Sequence, residues 1–443
     1  MSDQFLPASR RLAIIGGGPI GLETALYGLR LGYRVTLYEA DRIGANMLAW
    51  GHVQMFSPWS MNVSPLGVDI LQRSGWRHPD ADQCPRGGEF VRRYLQPLAE
   101  LIGQQARFCL GTRVVAVGRD GRLKGDAIGD EARGRAPLRL LIEEHGVEKV
   151  ATAERVIDAT GVYGQHNWLG SAGIPAPGER KVSDRIAYRL EDYLGAARSR
   201  YAGARVMELG SGHSAATAVC ALAGLASGEP GTLIHWVVRS RRQPPVTLFA
   251  NDPLPSRQRL AAAANELAAG ADPAVGFLAG YTVGEVSRGE DGLKVRLEDS
   301  EVDGDGSTSP PVSARRAPSV MAVDRIVALV GYRPDLEIGR ELQLHTCWAT
   351  EGPMKLAASL LGEVGGDCLA QSNPGPHALA MPEPGYLWMG HKSYGRNPSF
   401  LLRLGHEQIR DGFRLWEESA TLDLYATAAP ASLPPPGRVG LAR

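Results

Sequence analysis

The chain is poor in cysteine and carries no net charge. Its five thiols, Cys84, Cys109, Cys220, Cys347 and Cys368, form no C-x-x-C pair and no metal-like spacing. That excludes a zinc ribbon and points to a reducing, cytoplasmic setting. Lys plus Arg and Asp plus Glu both total 48, a balance that argues against nucleic acid or an anionic membrane as the main partner. No uninterrupted apolar segment approaches the roughly 20 residues that span a bilayer. The opening MSDQFLPASRR lacks the charged-then-apolar run of a signal peptide. His52, His213 and His391 have no i, i+4 partner or carboxylate pairing, so no metal is expected. At 443 residues the chain is too long for one compact core, and two or three domains are expected.

What is present starts with LAIIGGGPIGLETALYGLRLGYRVTLYEAD, residues 12–41. An apolar strand meets Gly16-x-Gly18-x-x-Gly21, a helix-period stretch opens at Pro19 and Ile20, and a second apolar strand closes on Glu39. In a dinucleotide-binding βαβ unit the first glycine permits the turn, the second lets a pyrophosphate approach the backbone, and the third lets helix and strand pack closely. The helix N-terminus then faces the phosphates, and the terminal acid accepts a hydrogen bond from a ribose hydroxyl. Residues 42–67 follow with no clean period, and they hold Trp50, His52, Phe56, Trp59 and Asn62. Ordinary packing under a long loop and the wall of a flat aromatic cofactor are both compatible with that stretch.

Residues 88–105 read as a helix, and 106–161 as short strands ending in Asp158-Ala159-Thr160-Gly161. A second βαβ start follows at 205–222, where Gly210-x-Gly212-x-x-Ala215 opens a helix at His213 and Ser214. Its second strand, TLIHWVV, ends in Arg239-Ser240-Arg241-Arg242 rather than an acid. Guanidinium groups attract a 2′-phosphate, which favours NADPH over NADH; a solvated basic loop is the plainer reading. The order of glycine-rich βαβ, β-meander and strand ending in glycine then occurs a second time, closing at Gly331. Residues 299–318 are polar and low in complexity, and a mobile loop is expected there. The last distinctive stretch, 385–408, runs from an apolar strand to Gly390, through a polar loop, to an amphipathic helix expected to start at Asn397-Pro398. Beyond about residue 426 the tail reads as flexible.

Taken together, the first motif with Glu39, the ATG at 159–161, the inserted G-x-G-x-x-A unit with its arginines, VGYRPD at 330–335, and a C-terminal strand, glycine and helix resemble the two-dinucleotide-binding-domain flavoproteins. That superfamily includes flavin-containing monooxygenases, N-hydroxylating monooxygenases and thioredoxin-reductase-like enzymes. The resemblance implies an α/β fold, a Rossmann-like FAD domain with a second Rossmann-like NAD(P)H domain inserted into it. The expected divisions are 1–175 and 323–443 for FAD and 176–322 for NADPH. It matches Gly16, Gly18, Gly21 and Gly390 with glycines of the FAD site and Glu39 with its ribose acid, and Pro19, Ile20, Trp50, Gly161 and Gly331 are further candidate cofactor-binding residues. Gly210, Gly212, His213, Ser214, Arg239 and Arg241 fall at NADPH. The family usually has aspartate after the C-terminal glycine, where this chain has His391. Backbone amides near Ser399 and Phe400, at the expected helix start, would face the negative charge of a reduced flavin.

The chemistry implied is NADPH-dependent oxygenation of a soft nucleophile, an amine, sulfur or related heteroatom, through a hydroperoxyflavin. The Trp50–Trp59 cluster would keep the pocket dry, and Asn62 would bond the flavin or the peroxide. Lys392 or Arg396 would hold an anionic substrate, and Tyr394 would donate a proton. The plainer reading of that loop has these residues bonding FAD phosphates or their own backbone. The alternative activity is electron transfer from NADPH to a non-disulfide acceptor, since a disulfide reductase needs a cysteine pair beside the flavin. A non-catalytic flavin-binding protein is the third reading. The expected partners are a small-molecule substrate and molecular oxygen, with a homodimer as the candidate assembly.

Overall fold

A computed structural model describes residues 10–300, 319–362, 369, 371 and 373–428. Most of the loop expected at 299–318, Cys368, and the tail from 429 onward therefore lie outside the described residues. The chain divides into two compact units, Met1–Gln165 with Arg333–Arg443, and His166–Tyr332. The divisions fall at 165/166 and 332/333, where the sequence reading set 175/176 and 322/323.

In the first unit, β1 (Arg11–Ile15), α1 (Pro19–Arg30) and β2 (Arg34–Glu39) form the βαβ unit that the motif predicts. β3 (Arg107–Leu110) extends the sheet beyond β2. A three-stranded antiparallel meander follows, β4 (Thr112–Arg119), β5 (Leu138–Glu144) and β6 (Val147–Ala153), and leads into β7 (Arg155–Asp158). The strand Tyr386–Trp388 completes a five-stranded parallel sheet in the order 386–388, β7, β1, β2, β3. Alternation divides β1 between two cores. Leu12 and Ile14 face α1 and the C-terminal helix, whereas Ala13 and Ile15 face the meander. The C-terminal helix Leu402–Trp416 packs on α1 through Phe413, whose ring stacks on Tyr27 at 5.1 Å.

The helix expected over 88–105 is present but changes pitch. Gly87–Phe90 is α, Val91–Leu95 is π, and Gln96–Ile102 is α again. Pro97 has no N–H to offer the Arg93 carbonyl, and that carbonyl instead accepts from Trp76 Nε1 at 2.7 Å.

The second unit repeats the plan. Its parallel sheet runs Val275–Ala279, Leu233–Val238, Arg205–Leu209, Arg325–Ala328, Ile186–Ala187. The helix His213–Gly228 follows the second glycine turn, and an antiparallel meander is made by Tyr281–Gly289, Gly292–Asp299 and Val320–Val323. Within the described residues no helix is long and apolar enough to cross a membrane.

Candidate functional site

The first glycine turn lies at the carboxyl end of β1, where parallel α/β sheets bind their ligands. Gly16 has φ +109°, and a Cβ on Gly21 would sit 1.9 Å from the Gly16 carbonyl oxygen, so the turn closes only around hydrogen. Gly18 is different. A Cβ there would meet nothing within 4 Å, so what glycine leaves free is the approach from outside. Gly18 is also the N-cap of α1, with no capping side chain and no acid in the first turn. With Pro19 lacking an N–H, the amides of Ile20 and Gly21 and the helix dipole are left for an anion. Glu39 ties the turn to β2, accepting from Gly17 N at 2.6 Å and Asp41 N at 2.9 Å. Its remaining lone pairs suit a hydroxyl ligand.

Two more features belong to this end of the sheet. Gly161, with φ +69°, ends the turn after β7 in open space. Trp50 follows the short helix Ala45–Ala49, which is anchored beside the glycine turn by Gly44 N donating to Gly17 O. The Trp50 indole Nε1 is buried without a hydrogen-bond partner among the described residues. Such a donor costs free energy until something accepts from it, and an indole beside an anion-binding turn fits a flat polar cofactor.

Several sequence-derived assignments end elsewhere. Lys392 is not free to hold a substrate anion. Its ammonium is buried against Asp158 Oδ2 at 2.5 Å and Thr160 Oγ1 at 3.2 Å, and Tyr386 donates to the same Asp158 oxygen at 3.0 Å. Asn62 is buried and spends its amide on its own loop, donating to the Ser57 and Pro58 carbonyls at 2.9 Å and accepting from Ser57 Oγ at 2.8 Å. Trp59 is core, fully buried beside Phe90 at 5.5 Å. The C-terminal helix begins at Leu402 rather than Asn397-Pro398. Asn397 Oδ1 accepts from Ser399 N at 2.9 Å, making a local turn instead of a cap, so the Ser399 and Phe400 amides are not at the helix start.

Gly390 keeps its expected place after the strand, with φ +69°. Around it lies a network the sequence did not reveal. Gly390 N donates to Gln408 Oε1 at 2.9 Å, Gln408 Nε2 donates to Ser393 Oγ at 2.9 Å, and Ser393 Oγ donates to Gly390 O at 2.8 Å. Gln408 is in the second turn of the amphipathic helix Leu402–Trp416, a place with no local signature. His391 stacks on Phe400 at 5.6 Å, and burial lowers its pKa to about 4, so the imidazole is neutral at neutral pH. Tyr394 is buried with its ring edge-on to Phe400 at 5.3 Å. The turn after the strand is thus built of buried, hydrogen-bonded groups together with the closed Lys392–Asp158 pair.

In the second unit Gly210 has φ +141°, and a Cβ on it would lie 2.5 Å from the Leu329 carbonyl oxygen. Gly212, like Gly18, is an open N-cap with no acid in the first helical turn, here formed by His213 and Ser214. Arg239 and Arg241 follow the strand Leu233–Val238, both at the surface or near it, and Arg241 lies 3.8 Å from Asp299. Gly331, with φ +91°, follows the strand Arg325–Ala328. Beneath the turn, Glu208 is fully buried with neither carboxylate oxygen hydrogen-bonded among the described residues, and burial drives its pKa well up. Nothing in the strand pattern RVMEL marks that acid as interior.

No family model matches the chain, and no curated protein matches it by sequence. Solved structures do match in fold. The bacillithiol disulfide reductase of Bacillus cereus aligns over 94% of this chain and all of its own, at TM-score 0.62 and 15% identity. The FAD-bound cadaverine monooxygenase of desferrioxamine biosynthesis from Erwinia amylovora aligns over 97% and 100%, at 0.61 and 13%. The ornithine N-hydroxylase of Kutzneria sp. 744, solved with reduced FAD, NADP+ and L-ornithine, aligns over 93% and 99%, at 0.59 and 15%. The chain shares its fold with these flavoprotein structures, which include both a reductase and oxygenases.

Proposed function

We propose that this chain is an NADPH-dependent FAD monooxygenase acting on a small soft nucleophile. The reading rests on one repeated observation, a glycine turn whose open second glycine caps an uncapped helix, once in each unit. The first would hold FAD through the Ile20 and Gly21 amides, Glu39 and Trp50, and the second NADPH through the turn at Gly210–Gly212 with Arg239 and Arg241. Bound flavin supplies hydride acceptance and oxygen activation. The chain's own contribution is to hold the cofactor and exclude water. The neutral His391 and the Phe400 ring line the turn at Gly390, and the Lys392 ammonium is held by Asp158.

Oxygenation is favoured over disulfide reduction by the thiols. Among the described residues, Cys84, Cys109, Cys220 and Cys347 form no disulfide and belong to four separate parts of the chain. Cys84 donates to the Phe56 carbonyl at 3.2 Å, and burial pushes the Cys220 thiol up to about 11. The test is NADPH turnover of the flavin-loaded protein, followed with an oxygen electrode and mass spectrometry against a panel of amines and thiols. The expected result is oxygen uptake accelerated by one compound class and a product heavier by one oxygen atom. Turnover that proceeds anaerobically with an added electron acceptor, and yields no oxygenated product in air, would assign a reductase instead.

A further inference from the structure

A second basic site exists at the other end of the first sheet. A cleft of about 400 Å³ opens between the parallel strands and the meander, lined by Arg11, Arg34, Thr36, Tyr38 and Arg107 over a floor of Ala13 and Ala153. Its volume is in the range of small-molecule sites. The strand register explains why these groups meet. Arg34, Thr36 and Tyr38 alternate onto one face of β2, Arg11 is the register partner of Arg34, and Arg107 is the partner of Thr36. Small side chains at Ala13 and Ala153 leave the space that the long side chains surround.

Every free polar side chain among those five is a donor. Arg11 is already engaged, with Glu154 at 2.7 Å and Thr152 at 3.2 Å. Glu144, which feels Arg107 electrostatically, is held by Lys149 at 2.6 Å. The guanidinium groups of Arg34 and Arg107 have no hydrogen bond or ion pair among the described residues. Tyr38 is only 7% exposed, and its hydroxyl has no hydrogen-bond partner among the described residues either. Two unengaged guanidiniums with hydroxyls between them, and no unengaged acid, make a receptor for a compact anion with several oxygens.

We infer that this cleft binds a phosphate-bearing small molecule at a site separate from both glycine turns. Arg11 and Arg34 open β1 and β2, five residues before Gly16 and Glu39, so the guanidinium end of the cleft lies about 17 Å along the strands from the glycine turn. The inference is independent of the flavin reading, because it uses none of the residues assigned to either nucleotide.

The experiment is calorimetric titration of the full-length protein, as isolated, with inorganic phosphate and separately with succinate. Wild type is compared with Arg34→Gln/Arg107→Gln, and with Arg239→Gln/Arg241→Gln, which removes the other arginine cluster. The expected result is phosphate binding that persists in the second variant and weakens about tenfold or more in the first. Arg34→Lys/Arg107→Lys, which keeps the charge but loses the planar fork, should fall between and covers the case of a misfolded glutamine variant. Equal binding by wild type and the Arg34→Gln/Arg107→Gln protein would overturn the site, as would no binding by wild type through the millimolar range. Succinate bound in preference to phosphate would overturn the phosphate assignment.

Discussion

Glu23 shows how a single side chain couples this fold to pH. It lies on α1, fully enclosed, and burial pushes its carboxyl up to about 7 while the Ser64 and Tyr425 hydroxyls pull it back. The folded-state value lies above the ordinary one of 4.5, so the folded protein retains the proton longer than the unfolded chain. Stability from this group is therefore intact below about pH 4.5, declines as pH rises toward 7, and is flat beyond, with a total on the order of 3 kcal/mol. Glu23→Gln should match wild type in thermal midpoint near pH 4.5 and exceed it at pH 8; equal midpoints at pH 8 would refute the argument. Lys392 carries a complementary prediction. Lys392→Met leaves Asp158 charged and unpaired in the interior, a loss of about 3–5 kcal/mol in urea unfolding, and adding Asp158→Asn should recover most of it.

At the scale of elements, the two glycine turns separate packing from ligand approach. Gly21→Ala collides with the Gly16 carbonyl in the protein itself, whereas Gly18→Ala meets no protein atom within 4 Å. If FAD occupies the turn, both variants should purify with much less bound flavin, measured by absorbance. Gly18→Ala should nonetheless keep the wild-type unfolding midpoint, while Gly21→Ala loses stability. Full flavin content in Gly18→Ala would remove the pyrophosphate from this turn. The C-terminal helix makes the opposite point about local signals. Asn-Pro is a good helix opening in isolation, yet Asn397 closes on Ser399 and the helix starts at Leu402, where its apolar face meets α1.

For the whole molecule, the repeated architecture divides cofactor choice between units. Each unit has a parallel sheet and a glycine turn, but only the second follows its turn with exposed arginines where the first has an acid. If NADPH binds there, Arg239→Ala with Arg241→Ala should raise the KM for NADPH by about tenfold or more and leave that for NADH nearly unchanged. A parallel rise for both nucleotides would assign the arginines a structural role. The likeness in fold to reductases and oxygenases alike means that kinetics of this kind, not architecture, decide between activities.

The sequence by itself determined the two βαβ units, their order and their glycine turns, because strand periodicity, turn glycines and helix starts are all local in the chain. It also marked Glu39 and the arginines after the second turn, which follow their strands directly. Tertiary structure decided the rest. Lys392 and Asp158 are separated by more than two hundred residues and meet only because the strand Tyr386–Trp388 pairs with β7. Gln408 reaches Gly390 only once the C-terminal helix has docked. The Arg34–Arg107 cleft needs β2 and β3 aligned in register and the meander folded over them. Which charges become buried, paired or left facing space depends on neighbours distant in sequence, and no local pattern encodes them.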